Sequence, residues 1–193
     1  MDTTHPRPAP TATLLVVGLA ALAVAVTAAG MLPAGAAEGR PDPPAPAEPI
    51  TERAEFTDDV AVQIRNKFDG RGNDVINLRD ASHAVVAEFT LGPAEKFPWH
   101  THPGPVIINI AEGDDDAFVY TLADDCVERV YSAGEALIDA GGDNVHTARN
   151  DGDEPIKVIA TILAAPGEDP LTLPVGDDEA DALDARCGVT TPR

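Results

Sequence analysis

Apolar residues in this chain gather in short runs at short intervals, without sustained helical spacing. The runs are Val60 to Ile64, Val75 to Leu78, Ala84 to Thr90, Val106 to Ala111, Ala117 to Leu122, Val127 to Tyr131, Ala136 to Ile138 and Ile156 to Leu163. Valine and isoleucine dominate them, and β-branched side chains suit a pleated surface better than a helix. Turn signals separate the runs: Gly92-Pro93, Gly113-Asp114, Ala133-Gly134, Gly141-Gly142 and Asp151-Gly152 fall where hairpins or bends are needed. Many short strands with few helical periods predict an all-β protein, an antiparallel sandwich or barrel. One short helix is expected in the tail, near Asp178 to Ala185. No internal repeat is evident, so a single barrel is expected.

The N-terminal stretch follows different rules. Arg7 precedes an apolar run from Leu14 to Ala29, and Ala34-Gly35-Ala36 supplies a small-residue cleavage site, the layout of a secretory signal peptide over residues 1–36. An uncleaved membrane anchor is the alternative, although the run is short for a full span of ~20 residues. No cysteine follows the run, which argues against a bacterial lipoprotein anchor. Residues 37–52 carry Pro41, Pro43, Pro44, Pro46 and Pro49 among small and charged residues, a composition that favours an extended spacer. The expected organisation is then a barrel over 53–166 and a C-terminal tail over 167–193.

The formal net charge is -20, and Asp2 and Arg7 cancel within the leader, so the exported portion carries all of it. That charge makes nucleic acid and anionic membranes poor partners, with the membrane relevant only if the leader is retained. Acidic clusters such as Asp114-Asp115-Asp116 and Asp177-Asp178-Glu179 are expected as solvated turns and tail. Cys126 and Cys187 both lie in the exported part, where oxidation predicts a disulfide that pins the tail to the barrel. Free thiols acting as metal ligands are the alternative, without any C-x-x-C spacing to support it.

The candidate chemistry lies in two segments. The first reads Phe97-Pro98-Trp99-His100-Thr101-His102-Pro103-Gly104-Pro105, and the second Gly141-Gly142-Asp143-Asn144-Val145-His146-Thr147-Ala148-Arg149-Asn150. Two apart on an extended strand, His100 and His102 share a face and are close enough to share one ion. His146 lies 44 residues after His102, and a closed sheet is expected to return it opposite that pair. Neutral imidazoles bind zinc, copper, iron and nickel well, and three of them with an open position form a common catalytic arrangement. A lone H-x-H before Pro103-Gly104-Pro105 is also what a surface turn looks like, so the second segment carries the weight.

Together the segments resemble the cupin superfamily, whose motifs have the forms G-x5-H-x-H-x3,4-E-x6-G and G-x5-P-x-G-x2-H-x3-N. His100, His102 and Gly113 match the first, with Gly92 as a displaced opening glycine. Gly134, Gly142, His146 and Asn150 match the second, with Ala140 in place of proline and one extra residue before the histidine. The resemblance spans roughly residues 84 to 164. It implies an antiparallel jelly-roll barrel holding a divalent metal (iron, manganese, zinc, copper or nickel) through His100, His102 and His146. Cupins often pair through edge strands, so a homodimer is left open.

One departure bears on chemistry. Val106 stands where the family has its metal-binding glutamate, so a three-histidine ion keeps its full double charge and is expected to favour an anionic substrate or a bound hydroxide. Glu112 lies about 20 Å along the strand from Val106, too far to ligate. Glu95 precedes the histidines in a flexible-looking stretch and is expected on the surface or folded over the mouth. Arg149 alternates to the face opposite His146, Asn150 is expected to fix the following turn, and Phe97 and Trp99 are either pocket rim or core. Gly141 and Gly142 are expected to supply positive φ angles at a bend.

Two functional classes follow. The first is an exported, metal-dependent cupin acting on a small molecule as dioxygenases and isomerases of that type do. The second is a non-enzymatic module that captures a metal or small ligand, which the missing glutamate and the lack of an evident general base favour.

Overall fold

A computed structural model of the chain describes residues 47–67, 73–79, 81–164 and 170–189. The expected leader, most of the spacer (residues 37–46) and parts of the tail (167–169 and 190–193) lie outside the described residues. In chain order the strands are β1 (Glu48–Pro49), β2 (Ala54–Glu55), β3 (Val62–Lys67), β4 (Asn73–Leu78), β5 (His83–Leu91), β6 (His100–Thr101) and β7 (Val106–Glu112). They continue with β8 (Phe118–Leu122), β9 (Glu128–Tyr131), β10 (Ala136–Asp139), β11 (His146–Asn150), β12 (Ile156–Leu163) and β13 (Leu173–Pro174), followed by helix α1 (Asp177–Cys187).

The strands pair antiparallel into two facing sheets. One runs β1-β5-β12-β7-β10, with β2 also on β5; the other runs β13-β6-β11-β8-β9; β3 and β4 form a separate hairpin. Consecutive strands repeatedly cross from one sheet to the other, which is the jelly-roll arrangement. Each of the eight predicted apolar runs contributes a strand, although the first is displaced, Val60 to Ile64 becoming β3. The last residues of the expected spacer also join the barrel, since Glu48 and Pro49 pair with Glu88 and Ala87.

Strand parity explains the core. In β12 the residues Ile156, Val158, Ala160 and Ile162 are buried while their neighbours are only partly so, and in β7 Val106, Ile108 and Ile110 are buried while Asn109 and Ala111 are exposed. These side chains meet Phe118, Tyr120 and Leu122 of the facing sheet. Fully burying each large one is worth roughly 1.5–3 kcal/mol.

A smaller cluster of Trp99, Ala123, Ala180, Leu183 and Val189 lies under α1. Trp99 is therefore core and not pocket rim. Its Nε1–H donates to Asp184 at 2.6 Å, and Lys96 donates to the same carboxylate. Asp177, Asp178 and Glu179 occupy the first helical turn, where the helix dipole favours negative charge. The expected disulfide joins Cys126 to Cys187 at the helix end. It closes 61 residues and stabilises by about 4 kcal/mol in the chain-entropy model.

Gly141 and Gly142 both have positive φ, at 64° and 62°, as the bend before His146 was expected to need. They differ in surroundings: a Cβ on Gly141 would run into the Gly104 carbonyl, whereas one on Gly142 meets nothing within 4 Å. Gly141→Ala is therefore expected to cost about 3 kcal/mol from strain and clash combined, and Gly142→Ala about 1 kcal/mol. Denaturant unfolding of the two variants checks this, and equal losses would contradict it.

Candidate metal centre

The histidine segments meet edge to edge within one sheet. His146 opens β11 and is the direct cross-strand partner of His100 in β6. The third histidine is thus a next-strand neighbour and does not face the pair across the barrel, because β6 lies beside β11 in the same sheet. His102 follows one residue after β6 ends. The ring centroids lie 4.9 Å apart for His100 and His102, 4.2 Å for His100 and His146, and 5.2 Å for His102 and His146. One nitrogen from each ring falls within 4.8 Å of the others, and all three residues are buried.

Each ring is held by an acceptor oxygen at Nδ1. His100 Nδ1 lies 2.6 Å from the Pro98 carbonyl, and His102 Nδ1 lies 2.7 Å from the Leu171 carbonyl. His146 Nδ1 lies 3.0 Å from Asp139 Oδ2 and 3.2 Å from the Asn144 carbonyl. These oxygens accept and cannot donate, so each neutral ring carries its proton on Nδ1 and keeps the Nε2 lone pair free. Burial lowers the His100 pKa well below its ordinary value, helped by the neighbouring His146 and His102. Burial and His146 lower that of His102. Buried neutral imidazoles with converging free lone pairs are the donor set that borderline divalent metals prefer, so the residues fit such an ion.

The structure adds a carboxylate that the sequence motifs do not mark. Asp139 is fully buried at the end of β10 and is the cross-strand partner of Val106, the residue in place of the family glutamate. The acid thus sits one strand over from the expected ligand position. Its Oδ2 accepts from the Tyr120 hydroxyl at 2.6 Å and faces His146, while Oδ1 accepts from the Gly141 amide at 2.7 Å. Burial alone raises its pKa, but the charge and hydrogen bond of His146, with the Tyr120 hydrogen bond, outweigh that and hold it well below the usual carboxylate range. Burial and the Asp139 charge push the Tyr120 phenol well above its ordinary value. The sequence carried one signal for Asp139: parity from the inward Leu137 puts it on the inner face, one residue beyond the predicted strand.

The histidines border a cavity of about 320 Å³. Phe97 lines it, as do Val106 and Tyr120. Glu95 does not cover the mouth; its Oε2 accepts from the Gly92 amide and closes a turn. Arg149 points away, as alternation predicts, and pairs with Glu128 and Asp151. Asn150 fixes its turn by donating to the Leu91 and Glu154 carbonyls and accepting from the Gly152 amide. Thr147 donates to the Phe97 carbonyl and holds the first segment against β11.

No family model matches this sequence. No curated protein matches it either. Among solved structures it is similar to the polyketide cyclase RemF from Streptomyces resistomycificus, at 20% identity over 51% of this chain and 66% of that one, with a TM-score of 0.41. A cupin-like protein from Thermotoga maritima is 19% identical over 52% of this chain and 72% of that one, TM-score 0.40. The salicylate 1,2-dioxygenase of Pseudaminobacter salicylatoxidans is 26% identical over 42% of this chain but 22% of its own length, TM-score 0.36. Likenesses of this depth concern part of the barrel and leave the assignment to the chain's own sheet order. On that order the protein is an antiparallel jelly roll of two facing sheets.

Proposed function

We propose that this protein holds a divalent metal through His100, His102 and His146 and presents it to a small organic molecule in the barrel cavity. The observation that carries the reading is the set of three buried rings, each with Nδ1 against an acceptor oxygen and Nε2 left free. Acceptors beyond the ligands are how proteins orient metal-binding histidines and raise their basicity. Asp139 takes that part for His146. The disulfide, with the leader-like N-terminus, supports an exported location.

The residues around the ion position rather than transfer protons. Both Asp139 oxygens are engaged, and the Tyr120 hydroxyl is spent on Asp139, so neither offers a base to a substrate. A bound divalent ion supplies Lewis-acid polarisation of a carbonyl or enol, or oxygen chemistry if it is redox-active. The same lack of a base also favours simple capture of a ligand. Oxygen uptake over a panel of catechols, thiols and keto acids separates the two: metal binding without uptake points to the capture module.

Elemental analysis of the purified chain is expected to find one divalent metal, which His146→Ala loses while its far-ultraviolet circular dichroism stays that of a β protein. Stoichiometric metal in the alanine variant would refute the site. Asp139→Asn is expected to keep the fold and weaken metal affinity about 10- to 100-fold, as loss of an outer-shell carboxylate does. Competition against a calibrated chelator measures it, and an unchanged constant would remove Asp139 from the centre.

The pH dependence of the metal-free chain follows from the same burial. His100 and His102 have folded pKa values below the unfolded value of ~6.5, so the unfolded chain takes up protons first. Their contribution is full above ~6.5 and is lost as pH falls below it. The depressed Asp139 adds a second loss only below about pH 4. Unfolding free energy is expected to decline from pH 7 to 5, and less steeply in a His100→Gln, His102→Gln variant; parallel curves would contradict this origin.

A further inference from the structure

Fifteen residues line the cavity; ten are apolar and none is Asp, Glu, Lys or Arg. Of the polar five, Tyr120 donates to Asp139, and each of the three histidines has Nδ1 against a protein oxygen. What remains for a ligand is the shared Nε2 side of the three rings and the Thr172 hydroxyl. The cavity therefore has one polar end and a dry body. Its aromatic lining leads to that end: Phe89 and Phe97 stack edge to face at 5.7 Å, and the Phe97 ring lies 6.1 Å from His100. At about 320 Å³ it falls at the small end of ligand pockets.

From this we infer that the ligand is a small, flat, conjugated or aromatic molecule with one oxygen-bearing chelating edge and no charge on the rest of its body. The inference rests on the reading of the three histidines as a metal site. A single negative charge on the chelating edge meets the ion. A second anionic group deeper in the cavity meets no cation and, among the lining side chains, no donor beyond the single Thr172 hydroxyl, and burying an unpaired charge is among the costliest things a protein can do. Polycarboxylates and sugar phosphates are excluded on the same ground, and the aromatic lining selects a ring over an aliphatic chain.

A matched pair of probes tests it. Tropolone and tropolone-5-sulfonate share a chelating edge and differ by one distal charge. The full chain is loaded with zinc, its stoichiometry measured, and each probe titrated calorimetrically, with its affinity divided by that for free zinc. Tropolone is expected to bind at least about 100-fold better than the sulfonate on this corrected scale. Phe97→Ala is expected to weaken tropolone several-fold with zinc stoichiometry unchanged. Equal binding of the two probes, or no binding of either to zinc-loaded protein, overturns the inference and leaves the metal site standing. Failure of the chain to retain zinc or any other divalent ion overturns the metal reading, and this inference with it.

Discussion

Three imidazoles packed with centroids 4.2 to 5.2 Å apart leave little room for like charges on neighbouring rings, and each buried ring N–H needs an acceptor. That requirement organises the surrounding architecture. The acceptors come from three separate parts of the chain: the Pro98 carbonyl just before β6, the Asp139 carboxylate at the end of β10, and the Leu171 carbonyl just before β13. Two of the three are backbone carbonyls, each two residues ahead of a strand of the same sheet. The third is a side chain from the opposite sheet, and it ties β10 to β11 across the barrel.

The C-terminal segment is thereby part of the site. β13 pairs with β6 at Thr101 and His100, which places Leu171 against His102 and lets Thr172 and Pro174 line the cavity. The segment is anchored behind the site by α1, whose Asp184 receives Lys96 and Trp99 from the stretch leading into His100. The disulfide fastens the helix end to the turn after β8. Local charge, packing and a covalent link converge on the residues that orient one ring.

Much of this was legible in the primary structure because inward alternation leaves a visible trace. Ile156, Val158, Ala160 and Ile162 announce β12, and the spacing of His100 and His102 announces neighbouring rings. β11 leaves no such trace. It runs between β6 and β8 with His146, Thr147, Ala148 and Asn150 all buried, so its sequence is mostly polar although its position is central. Polar residues there are satisfied by carbonyls from elsewhere in the chain, as Thr147 and Asn150 show. Asp139 went unmarked because an acid normally ends a strand prediction, and here it continues one. The Leu171 carbonyl has no signature at all, since every residue carries the same backbone oxygen.

Inside and outside obey different electrostatics. Among the described residues, charges outside the core have local partners: Arg149 answers Glu128 and Asp151, and Asp114 accepts from the Asp153 and Glu154 amides. At physiological ionic strength such charges are screened beyond about 8 Å, so they shape the approach of a ligand more than its seating. In the proposed metal-bound state, seating would depend on the ion at the imidazoles, with Asp139 behind His146. One buried carboxylate behind His146 would offset one of the two charges of a divalent ion without occupying a coordination position, which a ligating glutamate at position 106 would occupy. With the acid on the cross-strand partner of Val106, charge compensation would be kept and the cavity side of such an ion left to a ligand.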